Sequence, residues 1–155
     1  MISNYFEHRR NEFLVSTNPT RLDLDVIHGF LSSCYWAKGI PREIVARSIE
    51  HSLCFGVYDG NGAQVGFARV ISDFATYAYI ADVFVLESHR GQGLGKLLME
   101  GITQHPELQG LRRWSLSTLD AHGLYAQFGF KPVAAPERLM EIRTPPAWLK
   151  DAPTS

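Results

Sequence analysis

The chain has 155 residues, 45% hydrophobic and 20% charged, with a formal net charge of −1. This predicts one globular domain over residues 1–155 with a substantial core. The near-neutral balance excludes a protein that holds nucleic acid through excess Lys and Arg. No apolar run approaches a membrane span, and Met1 to Arg10 carries charges with no apolar stretch behind them, so neither membrane insertion nor a signal peptide is expected.

Cys34 and Cys54 lack C-x-x-C spacing, which points to a reducing, cytoplasmic setting. The six histidines show neither H-x-H nor H-E-x-x-H spacing, so no metal site is expected. The absence of a G-x-S-x-G elbow argues against a hydrolase of that type.

In chain order, Glu12 to Ser16 reads as a short first strand, broken by Asn18-Pro19. Asp23 is placed to cap a helix whose apolar positions are Val26, Ile27, Phe30, Leu31 and Cys34. Pro41 suits the first turn of a second helix with an inner face of Ile44, Val45, Ser48 and Ile49. Leu53 to Tyr58 and Gln64 to Ile71 read as a hairpin around Asp59-Gly60-Asn61-Gly62.

Tyr77 to Leu86 is a longer, nearly continuous apolar run, as in a strand buried on both faces. A helix then runs to about His105, where Pro106 stops it. Arg113 to Ser117 reads as a strand, and Ala121 to Phe128 as a short helix ended by Gly129. Phe130 to Val133 and Leu139 to Thr144 are the expected closing strands. The end, Thr144-Pro145-Pro146 and Asp151 to Ser155, has the composition of a fraying tail over about residues 145–155.

The stretch Arg90-Gly91-Gln92-Gly93-Leu94-Gly95-Lys96 lies between the long strand and its helix. A glycine-rich turn there aims unpaired backbone N–H groups from the positive end of a helix, which suits phosphate. Spacing separates the patterns that compete for it. A Walker loop needs G-x-x-x-x-G-K-[ST], but three residues separate Gly91 from Gly95 and Leu97 follows Lys96. A dinucleotide fingerprint needs G-x-G-x-x-G, and these glycines run G-x-G-x-G. The pattern R-x-x-G-x-G is met by Arg90, Gly93 and Gly95.

That pattern resembles the acetyl-coenzyme A signature of the GNAT superfamily of N-acetyltransferases. The family's V-x-P-x-x-R-G run is matched from Val85 to Gly91, with Glu87 in place of the proline. A second segment, Leu124-Tyr125-Ala126-Gln127-Phe128-Gly129-Phe130, resembles the family's Y-x-x-F-G-F. The element order is also the family's. The resemblance implies an α/β fold with a mixed, mostly antiparallel sheet of six to seven strands flanked by about four helices.

It further implies transfer of acetyl from acetyl-coenzyme A to a primary amine by direct attack in a ternary complex. The alternative is a non-catalytic acyl-coenzyme A sensor. By resemblance the cofactor lies along Val83, Phe84 and Val85 and on Arg90, Gly91, Gln92, Gly93, Leu94, Gly95 and Lys96, near Asp120 and Tyr125. Asp120 stands where the family often has Asn.

Tyr125 is implied as the general acid that protonates the departing thiolate; tyrosine, with a reference pKa of about 10, holds its proton at neutral pH. Asp82 is a candidate general base, directly or through water, or else a structural carboxylate, and Tyr79 and His122 are further candidates for the base. The Glu that some members carry just before that Asp is Ala81 here. Substrate contacts are expected from Tyr35, Trp36, Asp73, Tyr79 and His122, with Tyr35-Trp36 walling a pocket for an apolar or aromatic acceptor. A homodimer is an expectation from the family alone.

Overall fold

The computed structural model describes residues 4–149. One mixed sheet of six strands, in the order β1-β2-β3-β4-β5-β6, forms its spine. β1 (Glu7–Arg10) and β2 (Phe13–Ser16) are joined through Asn11, whose φ of 53° is a left-handed conformation that Asn tolerates. β3 (Leu53–Tyr58), β4 (Gln64–Ser72) and β5 (Tyr77–Val85) continue antiparallel, and β6 (Arg113–Leu116) pairs with β5 in parallel. The Asp59 carboxylate ties the β3–β4 turn by accepting from the N–H groups of Asn61 and Ala63.

Helix α1 (Leu24–Ser33) starts where Asp23 accepts from the N–H groups of Asp25 and Val26. Helix α2 (Arg42–Glu50) follows directly on Pro41. Together α1 and α2 cover one face of the sheet, packing Ile27, Leu31 and Val45 against Cys54, Phe67 and Phe84. Helix α3 (Leu94–Gln104) covers the other, packing Leu97, Leu98 and Ile102 against Val15, Phe55, Val57, Val70 and Ile80. The short helix α4 (His122–Ala126) adds Tyr125 to that second core.

Four expectations change. The first strand is Phe13–Ser16, and a preceding strand, Glu7–Arg10, pairs with it. Its burial alternates between exposed and partial, so it has no apolar face to show in sequence. The long strand is not buried on both faces. Ala78, Ile80 and Phe84 are buried, but Tyr77 is exposed and Tyr79 and Ala81 half-buried, because this end of the sheet reaches past the α1–α2 cover.

The closing strands at Phe130 to Val133 and Leu139 to Thr144 are absent. Pro132 lacks a backbone donor, and residues 131–143 are exposed apart from half-buried Ala135, with one 3-10 turn at Pro136–Arg138. A short apolar segment makes a strand only against a partner, and β6 pairs with β5 alone among the described residues. The beginning of the expected tail is anchored: Ala147–Leu149 form a turn, and Trp148 Nε1 donates to the Lys38 carbonyl at 3.1 Å. Asp151 to Ser155 lie outside the described residues.

Candidate active site

β5 leads through a 3-10 turn at Glu87–His89 into the glycine turn and α3. Gly91 and Gly93 have φ of 81° and 75°, which side-chain-bearing residues rarely adopt. Gly93 is the residue before α3, and no side chain caps that helix, in contrast to α1 with Asp23. The first-turn N–H groups of α3 are therefore open to an anion. Arg90 Nε donates to the Val85 carbonyl at 3.2 Å, binding the turn to the end of β5. Leu94 is buried beneath the turn, while Gln92 and Lys96 are exposed.

Fit to a pyrophosphate is a question of room. A side chain at Gly93 would start 3.0 Å from the Arg10 guanidinium, and one at Gly95 would start 3.3 Å from Leu124. The second contact brings the two sequence motifs together: α4 packs on the first turn of α3 where Gly95 has no side chain. Tyr125, 8% exposed, sits on α4 with its ring edge-on to Phe130. Burial, with the charge of Asp120 adding to it, pushes the Tyr125 hydroxyl above its ordinary value. It therefore keeps its proton at neutral pH. Asp120 and His122, which precede it in the chain, are both exposed.

β5 is interrupted at Asp82. Arg69 pairs with Ala81 and Phe67 with Phe84, so Asp82 and Val83 together face Ala68 in a bulge. Asp82 takes a φ of 55°. Its Oδ2 accepts from Arg69 Nε at 2.9 Å and its Oδ1 from Trp36 Nε1 at 3.0 Å. Arg69 also donates to Ser52 Oγ. Pairing between β5 and β6 runs only from Tyr77–Arg113 to Ile80–Leu116, leaving Ala81 to Val85 without a β6 partner. The bulge and this parting give the strand ahead of the glycine turn a free edge.

The uncovered face carries a row of Ile71, Tyr79 and Ser115, paired across β4, β5 and β6. The Tyr77 hydroxyl and Ser115 Oγ are hydrogen-bonded. At one side stands Trp36, edge-on to Tyr35 and tilted over Phe30, which stacks on Phe84 with centroids 4.1 Å apart. Asp73 serves its own loop, accepting from the N–H groups of Ala75, Thr76 and Tyr77 and from the Thr76 hydroxyl. Those bonds hold its carboxyl far below the usual range.

The sequence did not reveal Arg69, Arg10 or the Ile71–Tyr79–Ser115 row, because each acquires meaning only through strand register. Neither cysteine sits as a reactive thiolate. Burial raises both thiols, Cys54 to about 12, and the Cys34 thiol donates to the Leu31 carbonyl.

The family model of the acetyltransferase (GNAT) domain matches residues 50–132. A Gibberella zeae protein named as an acetyltransferase is 34% identical over 140 residues, 76% of this chain and 78% of that protein. Serotonin N-acetyltransferase 2, chloroplastic, from Oryza sativa subsp. japonica is 31% identical over 126 residues, 76% of this chain but 61% of the rice protein. A Xanthomonas campestris crystal structure described as belonging to the GNAT family superposes with a TM-score of 0.85 at 53% identity, covering 90% of this chain and 99% of that one. With the glycine turn, the bulged strand and the six-stranded mixed sheet on one scaffold, the chain belongs to the GNAT family of acetyltransferases.

Proposed function

We propose that this acetyltransferase moves the acetyl group of acetyl-coenzyme A to a primary amine by direct attack in a ternary complex. The observation that carries the reading is the convergence of the uncapped glycine turn, the free edge of β5 and buried Tyr125. The backbone N–H groups from Gly91 to Lys96 hold the pyrophosphate, and the β5 edge at Val83 to Val85 pairs with the pantetheine arm. Acetyl-coenzyme A supplies the thioester carbonyl. The Tyr125 hydroxyl gives its proton to the departing sulfur. Direct attack is favoured over a covalent route because both cysteines are held as protonated thiols.

Both oxygens of Asp82 are engaged by Arg69 and Trp36, so we assign it a positioning role and let the ammonium proton leave to water. The open face of Trp36, Tyr77, Tyr79 and Ile71 suits an acceptor with a flat apolar or aromatic body, and exposed His122 lies on the same helix as Tyr125. The rice relative's name, which specifies serotonin, agrees with that class.

A cytoplasmic enzyme is supported by two free cysteines and by the lack, among the described residues, of a helix long and apolar enough to cross a membrane. A homodimer is supported by the outer edge of β6, unpaired among the described residues, and by Met140 and Ile142, 97% and 95% exposed on a segment without regular secondary structure.

Amine-dependent release of thiol from acetyl-coenzyme A tests the activity. Ala81, in place of a Glu, favours the sensor as the second reading; that reading predicts binding without turnover.

A further inference from the structure

Arg10 reaches the glycine turn from a strand far away in the sequence. Its guanidinium donates to the carbonyl of Gly93 at 2.8 Å and to that of Gln92 at 3.3 Å. In a trans peptide the carbonyl and the following N–H point in opposite directions. Fixing the Gln92 and Gly93 carbonyls from one side therefore aims the N–H groups of Gly93 and Leu94 out of the other. The Gly93 carbonyl also accepts from Leu97 N–H at 3.0 Å, so the peptide that opens α3 is held by the helix and by β1 together.

Arg10 occupies the space beside Gly93 that a side chain there would need. Its own position is set by the two-residue turn after it, where Arg10 pairs with Phe13 across left-handed Asn11. The guanidinium adds positive potential behind the turn.

We propose that Arg10 is a positioning residue of the phosphate-binding turn, holding the Gln92–Leu94 peptides so that their N–H groups meet the pyrophosphate of the acyl donor. The proposal rests on the reading of this turn as the coenzyme A site. It predicts that Arg10 acts on phosphate-bearing donors and not on the acyl-transfer step.

The test compares wild type, Arg10→Gln and Arg10→Lys. Coenzyme A affinity is measured by titration calorimetry, and KM and kcat with acetyl-coenzyme A and with S-acetylpantetheine, which has no phosphate. Arg10→Gln should weaken coenzyme A binding about tenfold, with the unliganded melting midpoint within a few degrees of wild type. The KM advantage of acetyl-coenzyme A over S-acetylpantetheine should shrink by a similar factor. Arg10→Lys, which keeps the charge but not the planar guanidinium whose Nη2 reaches both carbonyls, should fall between. A folded Arg10→Gln that binds coenzyme A as wild type does, or one whose KM rises equally for both donors, overturns the proposal. Wild type that binds no coenzyme A overturns it together with the cofactor reading, so the two failures are distinguishable.

Discussion

Arg69 and Asp82 lock the bulge in β5 from the neighbouring strand. Arg69 Nε donates to Asp82 Oδ2 at 2.9 Å, and the two side chains are 17% and 15% exposed. A carboxylate held left-handed at φ 55° is strained backbone that persists because Arg69 and Trp36 fix it. Removing it strands a largely buried guanidinium. Asp82→Ala should therefore cost about 2 kcal/mol in denaturant unfolding. Asp82→Asn, which tolerates the same φ and keeps an acceptor, should retain kcat within about tenfold. A loss of about a thousandfold or more in folded Asp82→Asn, the scale of a missing general base, would return Asp82 to the proton-transfer step.

Tyr125→Phe removes a single hydroxyl from a ring that stays packed on Phe130. Turnover should drop about 100-fold, with coenzyme A affinity nearly unchanged. Unaltered turnover would take Tyr125 out of the mechanism.

Trp36 both walls the open face and bonds Asp82, and two substitutions separate these roles. Trp36→Ala should raise KM for an aromatic amine about tenfold, the loss of one well-packed ring. Trp36→Phe keeps a ring and loses only the bond to Asp82, so its KM should stay close to wild type. Equal KM in all three proteins would place the acceptor elsewhere.

His105 makes stability fall on the acid side. It lies between Phe6 and Phe55, with ring centroids 5.2 and 5.7 Å away, and its Nδ1 accepts from the Glu107 N–H. Burial lowers its pKa below the ordinary 6.5, opposed in part by the charge of Glu107. The folded protein thus takes up this proton less readily than the unfolded chain. The stabilisation is present above the unfolded value and is lost as pH falls through the folded one. Between pH 7 and 5 the unfolding free energy should decline, and His105→Asn should flatten the slope by up to about 1.4 kcal/mol per pH unit. Parallel slopes would remove His105 as the cause.

The assembly is checked by sedimentation. A dimer that dissociates in the pair Met140→Glu and Ile142→Glu agrees with the exposed segment as the contact, whereas monomeric wild type contradicts it.

Most of the fold was readable where periodicity and turn chemistry agreed. Leu53–Tyr58 has the expected limits, and Asp23 caps α1 as its spacing indicated. The glycine turn was legible because its conformation demands specific residues at Gly91 and Gly93. What escaped is tertiary. β1 has no apolar alternation and is held by pairing with β2. The closing strands had apolar residues and lack a partner among the described residues. Arg69 and Arg10 are ordinary surface-type residues until register sets one opposite the bulge and the other behind the turn.

The most direct measurement is thiol release from acetyl-coenzyme A, followed with and without an aromatic primary amine. Release that depends on the amine, saturates with both substrates and falls about 100-fold in Tyr125→Phe is what this account predicts. Coenzyme A binding with no release for any amine would contradict it and leave the chain a sensor.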